Sequence, residues 1–327
     1  MNTKDRILEE LEARHGESVS GEQMASELGI SRNAVWKAVK QLQTDGYDII
    51  AARNRGYALS DENDVLSARG IERYLSLPMK AYAKRIKIYD SLESTNKSAK
   101  EMAISGAEHG TVVIADAQTA GRGRYSRKFF SKRGDGLYMS MILRPEMLSY
   151  DDPTALTACA AVAVCEAIEA VTEREPRIKW VNDVYVDGKK VCGILTEAVS
   201  DFESGCLEWI VLGIGINVYV REEDFPIELR DTAASLCRGK KMFDTRNRLC
   251  AEIMNKILDP NMRHGEKEMF KKYKERLMLG REITVIQNND EYGALALDID
   301  EKGRLIVKKE NGELATLSSG EISIRQK

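Results

Sequence analysis

With 327 residues, 43% of them hydrophobic and 31% charged, the chain has the make-up of a folded protein with room for more than one core. A formal net charge of −3 excludes a surface that is basic throughout, so a polyanion could be met only by a local patch. No uninterrupted apolar run reaches the roughly 18 residues of a membrane span, and Lys4, Asp5, Arg6, Glu9, Glu10 and Glu12 stand where a signal peptide would be apolar. The expectation is a cytoplasmic protein with no membrane partner.

Three short helical patterns open the chain, at Thr3–Arg14, Gly21–Leu28 and Arg32–Thr44. Ser20 and Gln23 have capping-box spacing, Gly29 suits a tight turn between helices, and Ser31 caps the third helix. In that helix Ala34, Val35, Ala38, Val39 and Leu42 form the apolar stripe and Arg32, Asn33, Lys37, Lys40 and Gln41 face outward. Two strand-like runs, Tyr47–Ala51 and Gly56–Leu59, then make a hairpin with a basic tip. Between Arg32 and Arg55 five basic residues (Arg32, Lys37, Lys40, Arg53, Arg55) face two acidic ones (Asp45, Asp48). With Asn33, those five are the candidates for contact with DNA. A small interaction or dimerisation module is the alternative, and Trp36 fits either a core or a groove.

From Asp64 the pattern becomes that of a larger α/β domain. Arg85–Tyr89 reads as a strand, and Ser94, Thr95 and Asn96 stand where it passes into a helix, with free backbone N–H groups nearby. Thr111–Ala117 and Gly136–Leu143 are apolar strands flanking the loop Gly121–Arg133, which holds six basic residues and no acid. Such a density repels itself unless an anion is present, and Gly121 and Gly123 let the backbone come close to one. The plain alternative is a solvated basic loop.

Pro153–Val171 is a helix apolar nearly all round. Lys179–Asp183 (KWVND) leads into a hairpin turning at Asp187–Gly188, which puts Lys190 at the base of the returning strand, in reach of whatever Asn182 and Asp183 address. Leu207–Asn217 is a strand whose alternating Gly213 and Gly215 leave room for a flat group on one face. No helix opens after this G-x-G, so a dinucleotide fingerprint is disfavoured. Cys159, Cys165, Cys192, Cys206, Cys237 and Cys250 form no C-x-x-C pair, and His15, His109 and His264 have no zinc-site spacing. The last fifty residues read as short strands between turn clusters, a small β domain.

Four motifs stand in one order: DSLESTN, QTAGRGRYSRKFFS, KWVNDVYVDGKKVCGIL and GIGIN. Together they resemble the biotin protein ligases. With the N-terminal segment, which is similar to the winged helix-turn-helix of the biotin operon repressors, the likeness runs from about Val19 to the C-terminus. It implies a multidomain α+β protein: a winged helix-turn-helix over residues 1–62, an α/β catalytic domain with a mixed sheet over 63–278, and an SH3-like β-barrel over 279–327. It further implies that ATP and biotin, with Mg2+, give biotinyl-5'-AMP, and that the biotinyl group passes to a lysine of a biotin carboxyl carrier protein. Operator DNA and a homodimer of the loaded form are the other implied partners.

Carried over by position, the resemblance puts Ser94, Thr95, Asn96, Gln118, Arg122, Gly123, Arg124 and Lys190 around biotin. Arg124, Trp180, Asn182, Asp183 and Asn217 fall to ATP, and Asp183 to the metal. Lys190, Arg122 and Arg124 would serve catalysis. Ser126 stands where the family pattern has a third loop glycine, which predicts strain if that position needs a positive φ. A ligand-sensing transcription factor without turnover, and a lipoate-type acyl-adenylate ligase, are the alternatives.

Overall fold

The computed structural model describes residues 2–52, 55–147, 153–200, 207–259, 266–287, 290–318 and 321–324. Arg53, Cys206 and His264 lie outside these.

Helices α1 (Thr3–Ala13), α2 (Gly21–Leu28) and α3 (Arg32–Thr44) and the hairpin β1 (Ile49–Ala52) and β2 (Gly56–Leu59) share one core, centred on Ile7, Leu11, Met24, Val35 and Leu42. The caps form as the residues dictate. Ser20 Oγ accepts from the Gln23 N–H at 3.0 Å, Ser31 Oγ from the Ala34 N–H at 3.1 Å, and Gly29 closes α2 with φ 63°. The return half of the capping box is absent because the Gln23 amide donates forward to Glu27 at 3.0 Å. Val19 bridges Tyr57 antiparallel, adding a second short pairing beside that of β1 with β2. Trp36 is 50% exposed, which removes it from the core.

This unit sits on the next one through charge. Arg69 of α4 (Ala68–Tyr74) donates to the Asp5 carbonyl at 2.7 Å, Arg73 pairs with Glu12 at 2.9 Å, and the His15 ring stacks on Phe243 at 3.6 Å. The segment between them is fastened by the buried Asp64. Its carboxylate accepts from the Arg246 Nε at 3.0 Å and from the Tyr219 hydroxyl at 2.7 Å, while Arg246 Nη1 reaches Asp116 at 2.8 Å. A buried charge persists only when paired in this way.

The central sheet gathers β3 (Ile86–Tyr89), β4 (Thr111–Ala115), β5 (Gly136–Leu143), β6 (Arg177–Lys179), β7 (Asp183–Val186), β8 (Lys189–Ser200) and β9 (Leu207–Asn217) in the order β3-β4-β5-β9-β8-β7-β6. Only β3 and β4 run parallel. Strand alternation sorts the two faces. Met139, Met141, Ile194, Leu212 and Ile214 face a core completed by α6 (Pro153–Val171), α7 (Thr245–Ile257) and α8 (Glu266–Arg276). Val113, Ile142, Trp209 and Val211 face α5 (Thr95–Ile104), through Ala99 and Ala103. Residues 154–171 of α6 are apolar enough to match a membrane span by composition, yet 78% of that stretch is buried inside the protein. It is a core helix.

The C-terminal strands β10 (Glu282–Gln287), β11 (Asp290–Ile299), β12 (Leu305–Lys309), β13 (Leu314–Leu317) and β14 (Glu321–Ile324) form an antiparallel sheet in the order β13-β12-β11-β10-β14. Its apolar residues continue the core under α8: Val285, Ala296 and Val307 belong to the same cluster as Phe270 and Tyr273.

Candidate active site and DNA-binding face

The α5 helix covers only part of its face of the sheet. Beyond its N-terminus lies a crevice lined by Ser94, Thr95, Asn96, Gln118, Arg122, Phe129, Gly193, Leu195, Gly213, Ile214 and Gly215. Register explains the gap. Gly193 pairs with Gly215 and Leu195 with Gly213, while Gly213 pairs with Ser140, so adjacent strands present a patch nearly bare of side chains. A Cβ on Gly213 would lie 2.0 Å from Asn96 Oδ1, and one on Gly215 would lie 2.7 Å from the Phe129 ring. The missing side chains let Asn96 and the Phe129 ring come down onto the strand backbone.

One end of the crevice is neutral and heavily hydrogen-bonded. Gln118 Oε1 accepts from the Thr95 N–H at 2.8 Å, and its Nε2 donates to Ser131 Oγ at 2.8 Å. Ser140 Oγ lies 2.6 Å from Asn96 Oδ1 and 2.8 Å from Thr95 Oγ1, with Ser140 fully buried.

The other end is charged. Asp187 and Gly188 both adopt positive φ, 52° and 78°, so β7 and β8 are joined by the tight turn their sequence predicts. Strict alternation from Gly193 would then put Lys190 on the opposite, α6-facing side. A bulge prevents it: Val184 pairs with Cys192 but Tyr185 with Lys190, leaving Val191 unpaired. Val191 and Cys192 both enter the core, and Lys190 returns to the crevice, its Nζ 3.3 Å from the Cβ position of Gly193. Lys190 Nζ pairs there with Asp183 at 2.6 Å. Asn182 donates to the Ile194 carbonyl at 2.8 Å and accepts from Arg124 Nη1 at 3.2 Å, so the loop and the KWVND segment meet directly.

The loop is a closed turn, not an open strand of charges. The Gly123 N–H donates to the Arg127 carbonyl at 2.7 Å and the Phe129 N–H to the Gly121 carbonyl at 2.9 Å. Tyr125 and Ser126 form its tip with φ 54° and 57°. The position expected to need a positive φ does have one, at a cost of about 1–2 kcal/mol for a residue with a side chain. The self-repulsion expected of the loop is relieved partly by acids from outside it: Lys132 pairs with Asp224 at 2.8 Å and Asp135 at 3.0 Å, Arg133 with Asp116 at 3.6 Å, and Arg122 with Glu93 at 3.7 Å. Hydrogen bonds from Arg221 and Lys132 hold the Asp224 carboxyl down at about 2.

Of the sequence-predicted residues, Trp180 sits apart from the crevice and Arg122 on its rim. Trp180 is buried, and its indole N–H donates to the Gly303 carbonyl at 3.0 Å, which fastens the central unit to the C-terminal sheet. Arg122 extends outward toward Glu93, its side chain 55% exposed, though it also lines the crevice rim. Asn217 ends β9 on the same face as Gly213 and Gly215, buried, with Oδ1 unpartnered. Phe129 was not among the sequence candidates, although it lies over the glycine patch. An aromatic pair inside a basic loop was its signal. On α3, Arg32, Asn33, Lys37 and Lys40 are exposed together, and Arg55 beside the hairpin tip is exposed too.

A flat, neutral-floored crevice with cations at one mouth, joined to a helical reader with an outward basic helix, defines an acid-activating ligase fused to a DNA-binding module. The chain belongs to the biotin protein ligase family, among its bifunctional ligase/repressors. Residues 88–217 match the biotin/lipoate A/B protein ligase family, residues 3–58 an HTH domain, and residues 278–325 the biotin protein ligase C-terminal domain. The chain is 37% identical to the bifunctional ligase/repressor BirA of Bacillus subtilis, over 90% of this chain and 91% of that one. It is 29% identical to the BirA of Escherichia coli, over 95% and 94%. Among solved structures it is similar to the biotin protein ligase from Aquifex aeolicus in complex with biotin and ATP, with TM-score 0.63 and 31% identity over 74% of this chain and 99% of that one.

Proposed function

We propose that the crevice holds biotin with its ring system on the Gly193–Gly213–Gly215 patch and its carboxylate toward Lys190, and that ATP enters beside the loop and the KWVND segment. The observation that carries this is the polarity of the site: amides and a hydroxyl at the closed end, Lys190 and Arg124 at the open one. A carboxylate oxygen of biotin attacks the α-phosphorus, the bond to the pyrophosphate oxygen breaks, and biotinyl-5'-AMP remains. Two anions must meet for this, so Lys190 lowers their repulsion and steadies the charge that grows on the phosphoryl oxygens. In the second step a lysine amine of the biotin carboxyl carrier protein attacks the acyl carbon and AMP leaves.

Arg122 and Arg124 serve the same charge from the loop, with Gly123 allowing the backbone close. Arg124 is braced for the role by Asn182 and by Tyr125, whose ring lies 5.1 Å from the guanidinium carbon. Arg124→Ala is expected to form the adenylate but release it about 10–100-fold faster, the worth of one hydrogen bond to a charged group. Equal dissociation rates of labelled adenylate from parent and variant would refute the role.

Mg2+ would neutralise the phosphates. No group of three or more His, Cys, Asp or Glu side chains gathers to hold an ion among the described residues. The Asp183 carboxylate beside Lys190 offers a single oxygen ligand, which suits an ion held mostly by phosphate and water. Trp180 acts from the seam with the C-terminal sheet, bracing the β6–β7 turn that carries Asn182.

The loaded chain is proposed to act in the cytoplasm as a homodimer that binds operator DNA, with α3 toward the major groove and the β1–β2 hairpin as wing. Arg32, Asn33, Lys37, Lys40 and Arg55 are its contacts, with Arg53 a sixth outside the described residues. Lys37→Ala is expected to weaken operator binding and reduce the slope of log K against log salt by about 2, one phosphate contact being lost in each protomer of the homodimer. A slope unchanged from the parent would remove Lys37 from the interface.

A further inference from the structure

Glu197 and Lys100 stand behind Asn96 at the closed end of the crevice. Glu197 Oε2 accepts from Asn96 Nδ2 at 2.8 Å, and Lys100 Nζ holds the other oxygen, Oε1. The second hydrogen of Asn96 Nδ2 goes to the Leu195 carbonyl at 3.3 Å. Both donors of the amide are therefore spent on acceptors, and the amide can stand only one way round. Its Oδ1 accepts from Ser140 and fills the space that a Gly213 side chain would take, at the wall of the crevice that Asn96 lines. Ser140 takes one lone pair of that oxygen and the other remains for a ligand.

We infer that Glu197, held by Lys100, is a positioning residue that fixes Asn96 as a hydrogen-bond acceptor and so makes the closed end select a ligand ring bearing an N–H. The inference rests on the reading of the crevice as the biotin site. A turned amide would aim its NH2 at the pocket and its oxygen at two other acceptors, Leu195 O and Glu197. An acyl chain with no N–H, such as lipoate or octanoate, would leave the fixed Oδ1 desolvated and unmet, which is how a polar pocket rejects an apolar competitor.

The test exchanges the polarity of the pair. In Glu197→Gln only one oxygen remains, Lys100 claims it, and the new NH2 faces Asn96 and turns it. Asn96→Asp alone sets two carboxylates against each other, whereas Asn96→Asp with Glu197→Gln restores a donor facing an acceptor and leaves an oxygen toward the pocket. Biotin-dependent pyrophosphate release is measured on the full chain with ATP. The expected result is a rise of about tenfold in the biotin KM for each single change, with kcat and the ATP KM within about twofold of the parent. Most of the loss should be recovered in the double variant. Side-chain exposures of 29% for Glu197 and 32% for Lys100 favour folded variants, which thermal melts check. A biotin KM unchanged in Glu197→Gln, or a double variant no better than Asn96→Asp, would overturn the inference while leaving biotin as substrate. A parent that releases no pyrophosphate with biotin would overturn the biotin reading itself.

Discussion

Replacing Lys190 by alanine is expected to lower biotinyl-adenylate formation by about 10²–10³-fold or more, the usual effect of removing one preorganised donor to developing charge. Lys190 is the cation that the β7–β8 bulge turns into the crevice, and it stands between Asp183 and the glycine patch. With ligands absent its ammonium pairs with Asp183; with two anionic substrates present it can move a short way to meet them. The fold should survive, because the Lys190 side chain is 33% exposed and its truncation opens the buried Asp183 Oδ1 to water. Biotin-dependent pyrophosphate release, read beside a circular dichroism melt, is the check. Near-parental release from folded Lys190→Ala would remove the residue from the chemistry.

Gly213→Ala is expected to be as damaging by a different route. The added methyl would meet Asn96 Oδ1 at 2.0 Å, and Asn96 cannot yield cheaply, since it is held by Leu195, Glu197 and Ser140. Either the amide is driven from its partners or the strand is driven from the helix. Losing two such buried hydrogen bonds at about 1–1.5 kcal/mol each raises the biotin KM by about 10²-fold. Gly215→Ala should be milder, because the atom it meets at 2.7 Å is the edge of Phe129, on a loop that can shift. A biotin KM for Gly213→Ala within a factor of three of the parent would mean that the closed end is not where the ring system lies.

Much of this was legible from the residues because it depends on local chemistry. Ser20, Ser31 and Gly29 cap and stop helices wherever they stand, and Asp187–Gly188 turns a hairpin whatever surrounds it. The G-x-G of β9 announced a bare strand face, and the alternation of Val211, Gly213 and Gly215 put it on the same side as α5. What stayed hidden depends on long-range pairing. The β-bulge that turns Lys190 inward follows from packing both Val191 and Cys192, and no turn residue signals it. Acids that relieve the basic loop come from Asp116, Asp224 and Glu93, far along the chain or before it, so a count within the loop overstated its self-repulsion. The resemblance assigns Trp180 to ATP by its place in the motif, and only the tertiary structure gives its N–H to Gly303. The Asp64–Arg246–Asp116 group joins residues about 50 to 180 positions apart, beyond any periodicity argument.

The loop from Gly121 to Ser131, whose Phe129 lies over the glycine patch, is proposed to become ordered when the adenylate is bound. Hydrogen exchange of the backbone amides, with the chain alone, with ATP, and with biotin plus MgATP, measures this directly. Biotin plus MgATP should slow exchange in residues 121–131 and at the start of α5, and ATP alone should do so far less. Unchanged exchange in the loop while biotinyl-AMP is bound would contradict it.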